Sequence, residues 1–183
     1  MKNIIYIMII LSVISCGQIG RKNGHLNDNN ANTSTMDKEL KDLYDEFIAE
    51  GFSQFYIEGI GGPTSDGTEV LGLQNGNWEV YYVERGQRQK PLYSSLNKNE
   101  AIEFYRNHVY KIKHHHLAAF TRSKEKIEKI KVLLGENRIE YWQNDIPSYS
   151  AVRDTVFRIF VFNKDIYRIK EIDKSLPLIE KLK

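Results

Sequence analysis

Cysteine is nearly absent from this chain of 183 residues: Cys16 is the only one, so no disulfide can form within the chain. The sequence also lacks a phosphate-binding glycine loop, a Gly-x-Ser-x-Gly nucleophile motif, a His-Glu-x-x-His zinc motif and paired cysteines. No convergent set of nucleophile, base and metal ligands is visible. We therefore predict a protein that is not an enzyme and that needs no cofactor.

The longest apolar run lies at the N-terminus, where Lys2 precedes a stretch rich in Ile, Met and Leu that ends near Leu11. A positive start followed by a short apolar segment is typical of a secretory signal peptide, and the run is too short to span a bilayer comfortably. The residues "VISC" that end the segment resemble the lipobox of bacterial lipoproteins. The resemblance implies cleavage after residue 15 and lipid attachment at Cys16. A plain membrane anchor with an incidental cysteine is the alternative.

Three regions follow from this interpretation. Residues 1–15 are the lipoprotein signal peptide, residues 16–36 are a flexible tether rich in Asn, Gly, Ser and Thr, and residues 37–183 are a single globular domain. No acidic run follows Cys16, which favours the periplasm-facing side of the bacterial outer membrane. The lipid would be the contact with the membrane, and nucleic acid is not an expected partner in that compartment.

The pattern of the domain predicts an α+β fold with an antiparallel sheet of two hairpins or a meander, packed against two or three helices. Asn75-Gly76 marks the turn of the first hairpin, because a tight type I′ turn needs positive φ at both central residues. The other predictions, taken from local periodicity and caps, are helices at 37–51, 97–120, 123–135 and 174–183, strands at 52–60, near 92–93 and at 138–143, a loop at 144–154 and a second hairpin at 155–172.

The run His114-His115-His116 raises the question of a metal site. Within the predicted helix, consecutive side chains diverge by about 100°, whereas helical metal pairs are three or four residues apart. His108 is two helical turns from His115. We therefore predict no metal site and assign the histidines to a solvated or half-buried helix face.

Charge divides the domain in two. Residues 37–100 carry twelve acids and six bases, a net charge of −6, and residues 101–183 carry eleven acids and seventeen bases, a net charge of +6. The densest basic stretch includes Lys124, Lys126 and Lys129, and basic helices bind nucleic acid, acidic membranes or acidic proteins. Because a lipid anchor disfavours nucleic acid, we interpret these lysines as steering groups for a protein partner. Solvated helix faces balanced by the acidic half are the alternative.

Aromatic residues cluster around the predicted loop at 144–154. Tyr141, Trp142 and Tyr149 flank it, and Asp145 lies within it. Tyr and Trp are enriched at protein interfaces and recognition is often placed on loops, so we predict that these four residues bind a partner. Ordinary core packing is the alternative.

The central stretch "GNWEVYYVERGQRQKPLYSSLNKNEAIEFYRNHVY" resembles small immunity proteins of bacterial polymorphic toxin systems. The resemblance is carried by Gly76, Trp78, Val80, Tyr81, Tyr82, Glu84, Arg85, Gly86, Glu100 and Ala101, and "FRIFVFNKDIYRI" resembles the closing hairpin of that family. It implies a non-enzymatic protein that binds and blocks a toxin domain. The alternative is a general envelope lipoprotein that acts as a scaffold or ligand-binding module.

Overall fold

The computed structural model describes residues 30–64, 67–149 and 153–182, and within them the chain forms an α+β fold. The signal peptide, Cys16 and the first part of the predicted tether lie outside the described residues. The helices are α1 (Asn30–Ala49), α2 (Lys98–Val109), α3 (Lys124–Glu136) and α4 (Asp165–Ile172). The strands are β1 (Phe55–Ile57), β2 (Thr68–Gln74), β3 (Asn77–Glu84), β4 (Gln87–Arg88), β5 (Tyr93–Ser95), β6 (His115–Thr121), β7 (Tyr141–Gln143), β8 (Ile146–Tyr149), β9 (Asp154–Phe162) and β10 (Leu178–Ile179).

These strands form two sheets, each with its own hydrophobic cluster. The first sheet has the order β1-β2-β3-β4, with β5 also paired to β3, and it packs against α1 and α2. The second has the order β10-β6-β9-β7, with β8 also paired to β9, and it packs against α3 and α4. Most pairs are antiparallel, as predicted, whereas β1 with β2 and β10 with β6 are parallel.

Several elements form where local signals placed them. Asn75 and Gly76 both have positive φ, 51° and 84°, and join β2 to β3 as the predicted hairpin turn. Asn97 caps α2 by accepting from the Asn99 N–H at 2.9 Å, and Ser123 caps α3 by accepting from the Lys126 N–H at 3.2 Å. Helix α1 is also confirmed, although it begins at Asn30 and so extends into the end of the predicted tether.

The predicted long helix at 97–120 is wrong in its second half. Helix α2 ends at Val109, and after a turn the chain forms β6, which pairs antiparallel with β9. The spacing of Ile112 and Ala119 fits one helix face, but it also fits a strand that begins after a break. Long-range pairing with β9 and burial of Ala118 and Ala119 in the second cluster decide for the strand.

Three further predictions near the C-terminus are wrong. Much of the predicted loop at 144–154 forms β8, which pairs with β9. The second arm of the predicted hairpin is α4, which buries Ile166 and Ile169 at helical spacing after Asn163 turns the chain with a φ of 48°. The predicted C-terminal helix is replaced by β10, because Pro177 has no backbone N–H to donate and disfavours a helical conformation at Leu176.

The histidine run joins the two halves of the fold instead of lying on a solvated helix face, which corrects that prediction. The His114 side chain is fully buried, and its Nδ1 accepts the backbone N–H groups of Ser53 and Gln54 at 3.2 Å each. Nε2 therefore carries the proton and donates to the Val109 carbonyl at 3.1 Å. Burial lowers the pKa of His114 to about 4, so the ring is neutral at pH 7.

Further contacts complete this histidine seam, which consists of His114, His116 and residues 51–54. His116 Nε2 donates to the Gly51 carbonyl at 2.6 Å, and Phe52 stacks on the His114 ring with centroids 4.4 Å apart. Close by, the Tyr167 hydroxyl of α4 donates to the Ile48 carbonyl of α1 at 2.6 Å. The seam thus holds the second sheet against the C-terminal end of α1.

Candidate protein-binding surface

Strand β9 is apolar on both faces, as its sequence predicts for a central strand. Ile159 and Val161 point into the second cluster, where α3 and α4 cover them. Because side chains alternate along a strand, Phe160 and Phe162 lie on the opposite face. Among the described residues, no helix packs on that face.

Neighbouring strands extend this surface through cross-strand pairs. His115 lies opposite Phe162, and both Leu117 and Trp142 lie opposite Phe160. We refer to the surface as the open aromatic face. It is formed by His115, Leu117 and Phe120 on β6, Trp142 on β7, Tyr149 on β8, and Phe160 and Phe162 on β9.

The rings on this face contact one another. Trp142 packs against Phe160 with centroids 5.3 Å apart, and His115 forms a T-shaped contact with each of these two rings. Phe120 and Tyr149 form a second, T-shaped pair at 5.6 Å. Trp142 is the most accessible of them, with 45% of its surface exposed. Rigid, amphipathic rings of this kind present contact area at a low cost in side-chain entropy.

Positive groups lie over the rings. The Lys113 ammonium is 3.9 Å from the Phe162 ring centroid and also pairs with Glu140. The Arg158 guanidinium is 5.5 Å from the Phe160 centroid, and its Nε donates to the Asn144 carbonyl at 2.7 Å. The open aromatic face therefore combines accessible apolar area with cationic groups held in place.

The structure separates the residues predicted for partner binding. Trp142 and Tyr149 both lie on the open aromatic face, whereas Tyr141 packs against the second hydrophobic cluster. Asp145 lies at the break between β7 and β8, where its carboxylate accepts from the Arg158 backbone N–H at 3.2 Å and from the Gln143 amide at 2.8 Å. This geometry gives Asp145 a structural part in shaping the edge of the sheet.

The predicted steering lysines lie on α3, which packs on the other side of the second sheet. Lys126 pairs with Glu180 at 2.7 Å, and its hydrogen bond lowers the pKa of that carboxyl. Lys129 pairs with Glu125 on the same helix at 2.7 Å. Lys124 is exposed at the start of the helix. The structure does not bring these lysines onto the open aromatic face.

Sequence reasoning missed five members of the face: His115, Leu117, Phe120, Phe160 and Phe162. The first three were hidden by the helix prediction, since a helix distributes them around its axis. For Phe160 and Phe162, the signal was present in "FRIFVF", because a strand that is apolar on both faces needs a packing partner on each face. Helices α3 and α4 pack on only one of these faces.

None of the helices in the described part of the chain combines the length and hydropathy needed to cross a bilayer. Among the same residues, no three His, Cys, Asp or Glu side chains form a group able to hold a metal ion. Comparison with protein-family models, curated proteins and solved structures finds no match for this chain.

Proposed function

We propose that this chain is a lipid-anchored protein of the bacterial envelope that binds a toxin domain and neutralises it by occluding its surface. The observation that carries the proposal is the open aromatic face, on which Trp142 of the edge strand β7 is the most accessible ring. Trp142 is exposed and its aromatic neighbours on the face are half-buried, and contiguous accessible apolar patches mark protein–protein interaction sites. Cys16 supplies the anchor in this proposal, at the periplasmic side of the outer membrane.

The chemistry of the face indicates the kind of partner. Aromatic anchors surrounded by Lys113 and Arg158 fit a protein surface with an apolar patch bordered by carboxylates. The net charge of +6 over residues 101–183 favours the same partner at longer range. Binding of this type requires no group that acts as an acid, a base or a nucleophile.

The test is a protection assay with a matched pair of variants. If a toxin-domain gene lies beside the gene for this chain, that toxin domain is sent to the periplasm of a test strain, together with the wild-type chain, Trp142→Ala or Val132→Ala. Val132 is the control, because it is a 59% exposed apolar residue on α3, on the other side of the sheet. Loss of a Trp anchor should cost about 2 kcal/mol of binding or more, roughly thirtyfold in Kd.

We expect the wild type and Val132→Ala to protect, and Trp142→Ala to lose protection while it keeps its circular dichroism spectrum. Equal protection by Trp142→Ala would remove the open aromatic face as the interface. Failure of the wild type to protect or to bind the purified toxin domain would reject the immunity function. The scaffold or ligand-binding alternative would then take its place, and a groove on the first sheet specifically favours its ligand-binding form.

A further inference from the structure

That groove lies on the outer face of the first sheet, on the side away from α1 and α2. Its volume is about 380 Å³. Tyr56, Val70 and Tyr81 lie side by side across β1, β2 and β3. Thr68 and Val83 extend the floor, and Glu58 closes one end. The walls are thus aliphatic and aromatic, with one carboxylate. We refer to it as the Glu58 groove.

The Glu58 carboxylate is held in position by its neighbours. The Tyr81 hydroxyl donates to Oε1 at 2.5 Å, and the Gln74 amide lies 3.1 and 3.2 Å from the two oxygens. Burial, together with this hydrogen bond, raises the pKa of Tyr81, so the phenol remains a donor. Two uncharged donors therefore fix the orientation of the carboxylate.

Gly72 makes this position of Glu58 possible. A Cβ atom at residue 72 would lie 2.2 Å from the Glu58 carboxyl carbon, well inside contact distance. Glycine in the middle of a strand weakens the strand, because it adds backbone entropy to the unfolded chain and packs no side chain. The space that Gly72 leaves for the carboxylate is a specific reason for a glycine at this point of β2.

Charge decides which ligand fits. Arg88, which stacks over the Tyr81 ring at 3.9 Å, pairs with Glu79. No ion pair among the described residues involves Glu58. A carboxylate accepts about four hydrogen bonds, and Tyr81 and Gln74 leave lone pairs of Glu58 unused. The groove therefore carries an uncompensated negative charge beside apolar walls.

We propose that the Glu58 groove binds an organic cation, namely a primary ammonium or guanidinium group on an apolar stem. The head group would pair with Glu58, and the stem would lie along Val70, Val83 and Tyr56. A metal ion fits less well, since Ca²⁺ and Mg²⁺ need six or more oxygen ligands. A free amine and the Lys or Arg side chain of a partner protein share this chemistry.

The test is an NMR titration of the mature chain with Cys16→Ser, so that no lipid is attached. The probes are n-butylammonium, n-butylguanidinium and the neutral n-butanol, and the readout is the backbone amide shifts of Glu58, Gly72 and Tyr81. We expect saturable shifts with a Kd on the order of millimolar for the cations, as is usual for ligands of this size. Butanol should bind at least tenfold more weakly.

Glu58→Gln should weaken cation binding at least tenfold, since it keeps the shape and removes the charge. Glu84→Gln, with the same charge change outside the groove, should leave the Kd unchanged. Equal binding of butanol and butylammonium would overturn the proposal, and so would an unchanged Kd in Glu58→Gln with an unchanged melting temperature.

A capped Gly-Lys-Gly peptide distinguishes the two sources. If the peptide binds as tightly as butylammonium or more tightly, the natural ligand is a protein side chain. If the peptide binds more weakly, the natural ligand is a free amine. Trp142 has no part in these measurements, so their failure is separate from failure of the protection assay.

Discussion

The histidine seam should make the stability of the fold depend on pH. His114 Nδ1 accepts two backbone N–H groups, so a proton on Nδ1 would replace both hydrogen bonds with repulsion. Replacement of His114 by Asn tests this. The Asn side-chain oxygen lies where Nδ1 lies and accepts the same donors, but it does not titrate. The variant loses the bond to Val109 and the stacking on Phe52, so it should be less stable at pH 7.

The magnitude follows from the change in pKa. The ordinary value is 6.5 and the folded value is about 4. Between these values the unfolded chain binds a proton that the folded chain does not, so stability is fully present above pH 6.5 and falls as the pH falls towards 4. At 1.36 kcal/mol per pKa unit, the loss is about 3 kcal/mol. Burial also lowers the pKa of His116, which acts in the same direction.

The assay is urea unfolding at several pH values between 7.5 and 4 for the wild type, His114→Asn and His115→Asn. The free-energy difference between the wild type and His114→Asn should shrink by about 3 kcal/mol over this range, while carboxylates common to both cancel. His115→Asn is the control, because its ring lies on the open aromatic face and forms no hydrogen bond across the seam among the described residues.

Parallel curves for the wild type and His114→Asn would refute the reasoning. If the variant is too unstable to measure, the His114 ring signals in the wild-type protein provide the same test by NMR. Their titration midpoint should lie near pH 4. A midpoint near 6.5 would show that folding does not penalise the charged ring.

Three other perturbations have defined outcomes. Cys16→Ser should block lipidation and leave unprocessed precursor or released protein, and unchanged fractionation with the outer membrane would contradict the lipoprotein prediction. Gly76→Ala should cost about 1–2 kcal/mol in urea unfolding, because φ is 84° and a Cβ there meets no other atom within 4 Å; a change below 0.5 kcal/mol would argue against strain at this turn. Gly51→Ala should cost about 1–3 kcal/mol more than Gly76→Ala, since φ is 71° and its Cβ would lie 2.5 Å from the Asn163 backbone. Equal losses for the two variants would mean that the backbone at the histidine seam shifts to make room for the Cβ.

Local sequence determined the features that depend on a few adjacent residues. The turn at Asn75-Gly76 is fixed by the positive φ that those two residues tolerate. The caps at Asn97 and Ser123 are fixed by a side-chain oxygen that reaches the first free N–H groups of the helix. These signals, together with apolar periodicity, were sufficient to predict the α+β class.

Only the tertiary structure decided the features that depend on distant partners. Residues 115–121 fit a helix or a strand equally well, and pairing with β9 selected the strand. His114 became a buried acceptor because residues 53 and 54 needed partners for their N–H groups. The open aromatic face was assembled from β6 and from the three consecutive strands β7, β8 and β9, and Trp142 and Phe160 became neighbours only through sheet register. Register is a long-range property, because a slip of one residue would exchange the buried and open faces of β9.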